Sequence, residues 1–529
     1  MDRSYYHTLE RSKFDLIFYF ACFIFLYLHL FYFPATPIYY ESDHVNLLND
    51  AKRLTEGEFI YRDFFEFVFP GSHTLYAFLM MLFGPRYWVV NLVIIAHGMA
   101  AAILGVQISR KILQDTALAY LPSALYVFLG LRWFGLDGEH RMISPLFCCL
   151  AILLLLPERT LARISVAAAS CAIASFFSQQ RGFLTAAAII AFLFVEFGIR
   201  ARNWRRFFKS SMMLAFIFVG LLGLLILPFA ITAGPSVFFS DTILFLRSYA
   251  EDPQTNSLQV YLLTLEKARS QGTTFFLISL FYSILIPAVY FVTIGVVSLR
   301  WKRTGWSTQI SGVLLICLTG LFLTLGTSGP NVLRLFQVAL PALIGFVWLI
   351  GHSKYLTART ACAVVALLAV IGIVLGIRLQ TAWQPSILET PSGRLAIMSP
   401  VIAERYEWLL EHTRPGDLVY ETYNAHVNFP LGLRNPSRIS ILLNSGYSTP
   451  EHVAWAIEDL KRSNPRYIIW DGTWTREIRE SSEDQRLEPF FRFMEANYRL
   501  VRSFTPYDGR EREVWERADL VESNTEGVR

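Results

Sequence analysis

Asp43 is the first residue of this 529-residue chain that invites a chemical reading. It opens an amphipathic segment a few turns past a long apolar stretch, with Glu41 and His44 beside it. A carboxylate at a low-dielectric boundary suits general-base work or cation binding. The competing reading is a helix start, because Ser42 and Asp43 immediately precede a helical pattern. A second cluster, Asp137-Gly-Glu139-His140-Arg141, crowds polar groups into a tight turn between two apolar runs. The bland alternative there is a solvated loop tip with Arg141 reaching toward headgroups. Two more sites carry arginine: Ser178-Gln-Gln-Arg181-Gly182 and Pro330-Asn-Val-Leu-Arg334. A guanidinium can hold a phosphate through two parallel hydrogen bonds, and it can equally anchor a helix at an interface. Glu196 and His97 also interrupt apolar runs, and read as helix-packing or inner-edge residues.

The elements that must position these residues are membrane helices. The chain is 54% hydrophobic and only 17% charged, with mean hydropathy +0.40. Soluble domains average about a quarter charged, so an ordinary soluble enzyme and a disordered chain are excluded. Measured against the roughly 20 residues needed to span, eleven runs qualify: 14–33, 87–109, 116–133, 142–157, 162–178, 183–199, 210–233, 272–298, 308–327, 332–350 and 360–377. The first is too long for a signal-peptide core and has no clear cleavage site after it. A twelfth run, 71–84, lies between Pro70-Gly71 and Gly84-Pro85, and is too short to span; an interfacial or re-entrant helix is expected there.

With the N-terminus in the cytoplasm, the inside segments hold about 17 Lys/Arg in about 57 residues, against about 11 in about 110 outside. This asymmetry places the first loop (about 34–86), the loop at about 234–271 and the C-terminal tail outside. All four polar clusters then lie at the outer ends of their helices, where two acidic turns and two arginines could line one cavity.

From about residue 379 the composition becomes that of a soluble domain, giving a membrane domain (1–378) and an α/β domain (379–529). Strands are expected at 417–420, 438–443, 466–470, 499–505 and 511–516, with helices over 450–463 and 483–498. Thr449 and Pro450 supply a hydroxyl cap and a first-turn proline for the earlier helix. The six cysteines all fall in apolar runs and form no disulfide or zinc framework. No basic stripe interleaves with aromatics, which argues against a nucleic-acid partner.

The first outside loop carries a resemblance. Asp43, then Ala51-Lys-Arg-Leu-Thr-Glu-Gly57, Tyr61-Arg-Asp63-Phe-Phe65, Phe69-Pro70-Gly71 and Leu82-Phe83-Gly84 resemble the first loop of GT-C glycosyltransferases. The branch is the bacterial one related to protein O-mannosyltransferases and lipid A aminoarabinose transferases. Weaker echoes occur at 139–145, 179–182 and 334–341, and in the tail at Gly432-Leu-Arg-Asn-Pro436 and Tyr447-Ser-Thr-Pro-Glu451. The resemblance implies a GT-C-like fold, with Asp43 as catalytic base and Glu139 as the second acidic position. Arg181 and Arg334 would be the phosphate contacts, and Glu41, His44, His140 and Arg141 from the acidic clusters complete the candidate substrate-binding set. The chain departs from the pattern at His44, where the family usually has Glu. No certain cofactor is implied, although a divalent cation would be compatible. The expected partners are a polyprenyl-phosphate sugar donor, a lipid, glycan or protein acceptor, and the bilayer of a bacterial inner membrane. In the implied reaction the acceptor oxygen displaces the lipid phosphate in one inverting step. The rival from another class is a transporter or flippase of a lipid-linked or anionic substrate.

Overall fold

The computed structural model describes residues 3–113, 117–251, 257–327, 331–351, 357–423, 425–443, 446–480, 486–505 and 511–521. Lipid offers no hydrogen bonds to the backbone, so apolar runs satisfy their N–H and C=O groups internally as helices. Among the described residues, seven helices are long and apolar enough to cross a membrane: Ser12–Leu30, Trp88–Leu113, Gln179–Arg200, Trp204–Ala233, Thr273–Thr304, Thr308–Leu325 and Ala358–Ala382. Shorter apolar helices, Leu118–Phe134, His140–Leu155, Leu161–Phe177 and Leu340–Ile350, fall on the other four expected spans. The run after Pro70 forms a 13-residue helix, Gly71–Phe83. Phe216, Leu224 and Ile231 stand exposed along Trp204–Ala233, as lipid-facing side chains do. This is a multi-pass helical membrane protein with a C-terminal α/β region.

One expected span is broken. The run 332–350 folds as Val332–Gln337 followed by Leu340–Ile350. Pro341 explains the interruption, because it has no N–H and its ring clashes with the carbonyl four residues earlier, that of Gln337. Non-helical backbone inside an apolar run is tolerated where it lines a cavity, and Gln337, the last residue before the break, lines one here. Gly130 lets this segment approach, since a Cβ there would sit 2.0 Å from the Phe336 ring.

Eight strands form two sheets: β1 (Phe31–Tyr32), β2 (Thr36–Tyr39), β3 (Ser386–Thr390), β4 (Gly393–Ile397), β5 (Val419–Glu421), β6 (Tyr467–Asp471), β7 (Tyr498–Phe504) and β8 (Arg512–Arg517). The first sheet runs β1-β2-β4-β3 and joins the first loop to the tail, with Ile38 opposite Ala396 and Tyr39 opposite Ile397 in parallel register. The second runs β5-β6-β8-β7 within the tail, where β5 and β6 are parallel and the helix Pro450–Ser463 lies between them in sequence. One hydrophobic core is continuous from Phe25 and Val106 among the membrane helices to Leu395, Tyr406 and Val419 in the tail. A second, around Tyr420, Trp470 and Phe490, receives Phe65 from the first loop.

The tail differs from expectation at 438–443, which forms no strand. Its polar backbone groups are satisfied elsewhere: Arg438 O accepts from Phe65 N at 2.8 Å, Arg438 N donates to Asp459, and Leu443 N donates to Ser448. Side chains and the first loop thus replace the ladder. The other expected elements appear, the second helix as Glu488–Asn497, with residues 481–485 outside the described set. Strands β1 to β4 and the helix Pro400–His412 were not expected.

Candidate functional site

Asp43 is the first residue of the helix Asp43–Thr55, and a negative charge in the first turn is favourable there. Ser42 occupies the cap position, yet its hydroxyl donates to Asp137 and makes no capping bond. The Asp43 side chain is 58% exposed and faces Arg141 Nη1 at 3.5 Å. That guanidinium is held by Glu139 at 2.9 Å. Glu139 in turn accepts from Gln337 Nε2 at 2.8 Å, and Gln337 Oε1 accepts from Arg181 Nη2 at 2.8 Å. Arg181 also donates to the Arg141 carbonyl. A continuous polar network therefore runs from the exposed Asp43 to the buried Arg181. Burial raises the Glu139 carboxyl, Arg141 opposes the rise, and Asp137 and Asp43 add to it.

Two cavities meet at this network. The smaller, about 160 Å³, is lined by Asp43, Glu139, His140, Arg141 and Arg334, together with an aromatic wall of Phe67, Tyr249, Tyr423 and Tyr447. The larger, about 650 Å³, shares Asp43, Glu139, Arg141 and Arg334 and adds Arg132, Glu41 and apolar groups such as Trp133, Leu333 and Leu379. Arg181 stands in an adjoining pocket with His140, Arg141 and Arg334.

The other expected residues lie apart from Asp43 in different degrees. His44 is fully buried and bonds Asp137 Oδ1 at 2.9 Å and Tyr87 at 3.0 Å, so it braces the loop helix and lines none of these cavities. Glu41 is paired with the buried Arg405 and lies 3.3 Å from His426, locking the first loop to the tail. Burial alone would raise its carboxyl, but Arg405 and His426 hold it well below the usual carboxylate range. Sequence reasoning missed Gln337, whose neutral amide is a weak signal inside an apolar run. It also missed Arg132, which a search for charge within the 116–133 run would have found. Of the residues set aside, His97 is buried among helices and Glu196 pairs with Arg159 at 3.1 Å.

No protein-family model matches the sequence, and no curated protein does. Solved structures do. ArnT from Cupriavidus metallidurans bound to undecaprenyl phosphate is similar with a TM-score of 0.58 at 11% identity, over 96% of this chain and 99% of that one. The apo state of the same protein gives 0.56 at 12% identity, with the same shares covered. The Archaeoglobus fulgidus oligosaccharyltransferase in complex with Zn and sulfate gives 0.50 at 13% identity, over 94% of this chain and 72% of that one. The chain has the GT-C fold. Identity this low carries the fold alone, and the chemistry rests on the residues above.

Because one GT-C-fold structure holds Zn, the donors here bear testing as a cation site. Around Asp43 they do not fit, since the Arg141 guanidinium already stands between the two carboxylates of Asp43 and Glu139. A second group, Glu41, Glu421 and His426, has its ligand atoms within 4.8 Å of one another. Arg405 already supplies the positive charge to Glu41 there.

Proposed function

We propose that the protein is a membrane glycosyltransferase that moves a sugar from a polyprenyl-phosphate-linked donor to an acceptor hydroxyl on the extracytoplasmic side, with inversion. The observation that carries this reading is the place of Asp43: half-exposed, at the junction of two cavities of different chemistry, and backed by a buried arginine network. The larger cavity offers Arg132, Arg141 and Arg334 beside apolar walls, which suits a lipid phosphate. The smaller offers aromatic faces beside the same carboxylates, which suits the acceptor.

In the reaction, an Asp43 oxygen takes the proton from the acceptor hydroxyl as that oxygen bonds to the anomeric carbon. The bond from that carbon to the phosphate oxygen breaks, and its electron pair leaves with the lipid phosphate, whose growing charge the arginines stabilise. No step needs a metal held at Asp43. In this reading residues 1–378 form the catalytic unit, residues 379–529 shape the acceptor side, and the protein sits in a bacterial inner membrane with its N-terminus in the cytoplasm.

The test is transfer of labelled sugar from a polyprenyl-phosphate donor pool in membranes. Asp43→Asn at equal protein level should lower the rate by about 100-fold or more, the lower range for loss of a positioned base. Full activity in the variant would remove Asp43 from the mechanism. Absence of transfer by the wild type across several donors would favour a transporter.

A further inference from the structure

Two turns along the helix that begins at Asp43, a second set of acidic side chains is buried and takes no part in the proton transfer assigned to Asp43. Asp50 and His73 are almost wholly buried and Glu66 nearly so. Among the described residues neither Asp50 nor Glu66 forms an ion pair with Lys or Arg; Arg53, one turn on, is matched by Glu58 at 2.7 Å. This is the contrast with the Glu41 group, where Arg405 neutralises the site. His73 is the cationic partner these two carboxylates share, and two buried carboxylates against one imidazole still leave an unmatched negative charge, which is costly.

The oxygens are also oriented. Glu66 Oε1 accepts from Phe67 N at 2.7 Å and Val68 N at 3.0 Å, leaving Oε2 toward His73 Nε2 at 3.3 Å. Asp50 Oδ1 accepts from Ser440 Oγ at 3.3 Å and Asn49 Nδ2 at 3.4 Å, while Oδ2 takes only a long bond from Asn46 Nδ2 at 3.5 Å and lies 3.8 Å from the same imidazole nitrogen. His73 is fully buried, and neither ring nitrogen makes a hydrogen bond. Asn46 Oδ1, one turn back, is likewise buried without a partner. Ligand atoms on a tetrahedral zinc, with bonds of about 2.0–2.2 Å, stand about 3.4 Å apart; the 3.3 and 3.8 Å separations straddle that edge, and the three ligand atoms all lie within 4.8 Å of one another. One imidazole, two carboxylates and a spare amide oxygen form a borderline N/O donor set, which suits zinc better than magnesium or calcium.

We propose that Asp50, Glu66 and His73 bind a divalent cation of the zinc class. The ion is structural. It ties the Asp43 helix to the Phe67–Val68 segment of the smaller cavity and, through the Ser440 hydroxyl on Asp50, to the tail. The inference does not rest on the transfer reaction, because its readout is metal content.

The test uses the full chain in detergent, stripped with EDTA, reloaded with zinc chloride, passed through size exclusion and analysed by plasma mass spectrometry. The wild type should retain about one zinc per chain, and reloading should raise its Tm. His73→Gln and Glu66→Gln should lose the ion and the rise in Tm. Ser440→Ala, which removes only a supporting hydroxyl, should bind about tenfold more weakly, and it decides the matter if the ligand variants do not fold. Asp43→Asn and Glu41→Gln should keep the ion whether or not transfer is impaired. A wild type that retains no zinc, ligand variants that retain as much as wild type, or loss of the ion in Asp43→Asn would each overturn the proposal.

Discussion

Arg141 connects the exposed and buried parts of the candidate site, and its position depends on an amide in another helix. Glu139 holds Arg141, and Gln337 bridges Glu139 to Arg181. Gln337→Ala should therefore leave Glu139 with one buried oxygen short of a partner, a loss of about 1–3 kcal/mol. Transfer should fall while the donor KM changes less, as steady-state kinetics would show. Glu41 gives a pH prediction. Its folded-state carboxyl is held below the ordinary range by Arg405 and His426, so its contribution is present above the unfolded pKa and is lost as pH falls through the folded one. Thermal unfolding should shift steeply downward below about pH 4. Glu41→Gln should flatten that slope and lower Tm at neutral pH, because the buried Arg405 loses its ion-pair partner and keeps only the nearby Glu421, at a cost of up to about 3 kcal/mol. Asp43, Glu139, Arg141 and Arg334 were legible because charge at the end of an apolar run is costly and therefore conspicuous. The burial of His44 was not legible, since the Asp137 and Tyr87 that receive it lie 93 and 43 residues away.

At the scale of elements, the decisive features are the broken helix before Leu340 and the mixed sheet. The sequence shows Pro341, but hydropathy averages over it, so 332–350 reads as one span. Strands β1 to β4 were not legible because each is 2 to 5 residues long, and β1 falls inside the apolar run read as the first span. The β2–β4 pairing that joins the two hairpins, Ile38 to Ala396, spans more than 300 residues, beyond any local pattern. The β2–β4 register makes a direct prediction. Ala396→Pro removes an N–H in the strand between β2 and β3, at a cost of about 1–3 kcal/mol for the ladder hydrogen bond lost. Limited trypsin digestion should then release the tail faster than in the wild type, and Tm should fall. Unchanged digestion would mean that the sheet does not hold the tail to the loop.

For the whole molecule, the charge asymmetry predicts a tail outside and short basic loops inside. Glu458→Cys in the tail should react with a membrane-impermeant maleimide in intact spheroplasts, and Arg303→Cys only after lysis. Both positions are exposed, and five of the six native cysteines are buried. The reverse pattern would invert the orientation. What the sequence by itself determined is the class of the molecule, the positions of its apolar helices and the charged residues that interrupt them. Those follow from local composition, because transfer into a bilayer depends on each segment's own apolar length. Only the tertiary structure decided which of those residues meet. Gln337 reaches Glu139 across 198 residues, and Ser440 reaches Asp50 across 390. Contacts of this kind arise from how helices pack and where the tail docks, and hydropathy, charge and spacing along the chain contain no record of either.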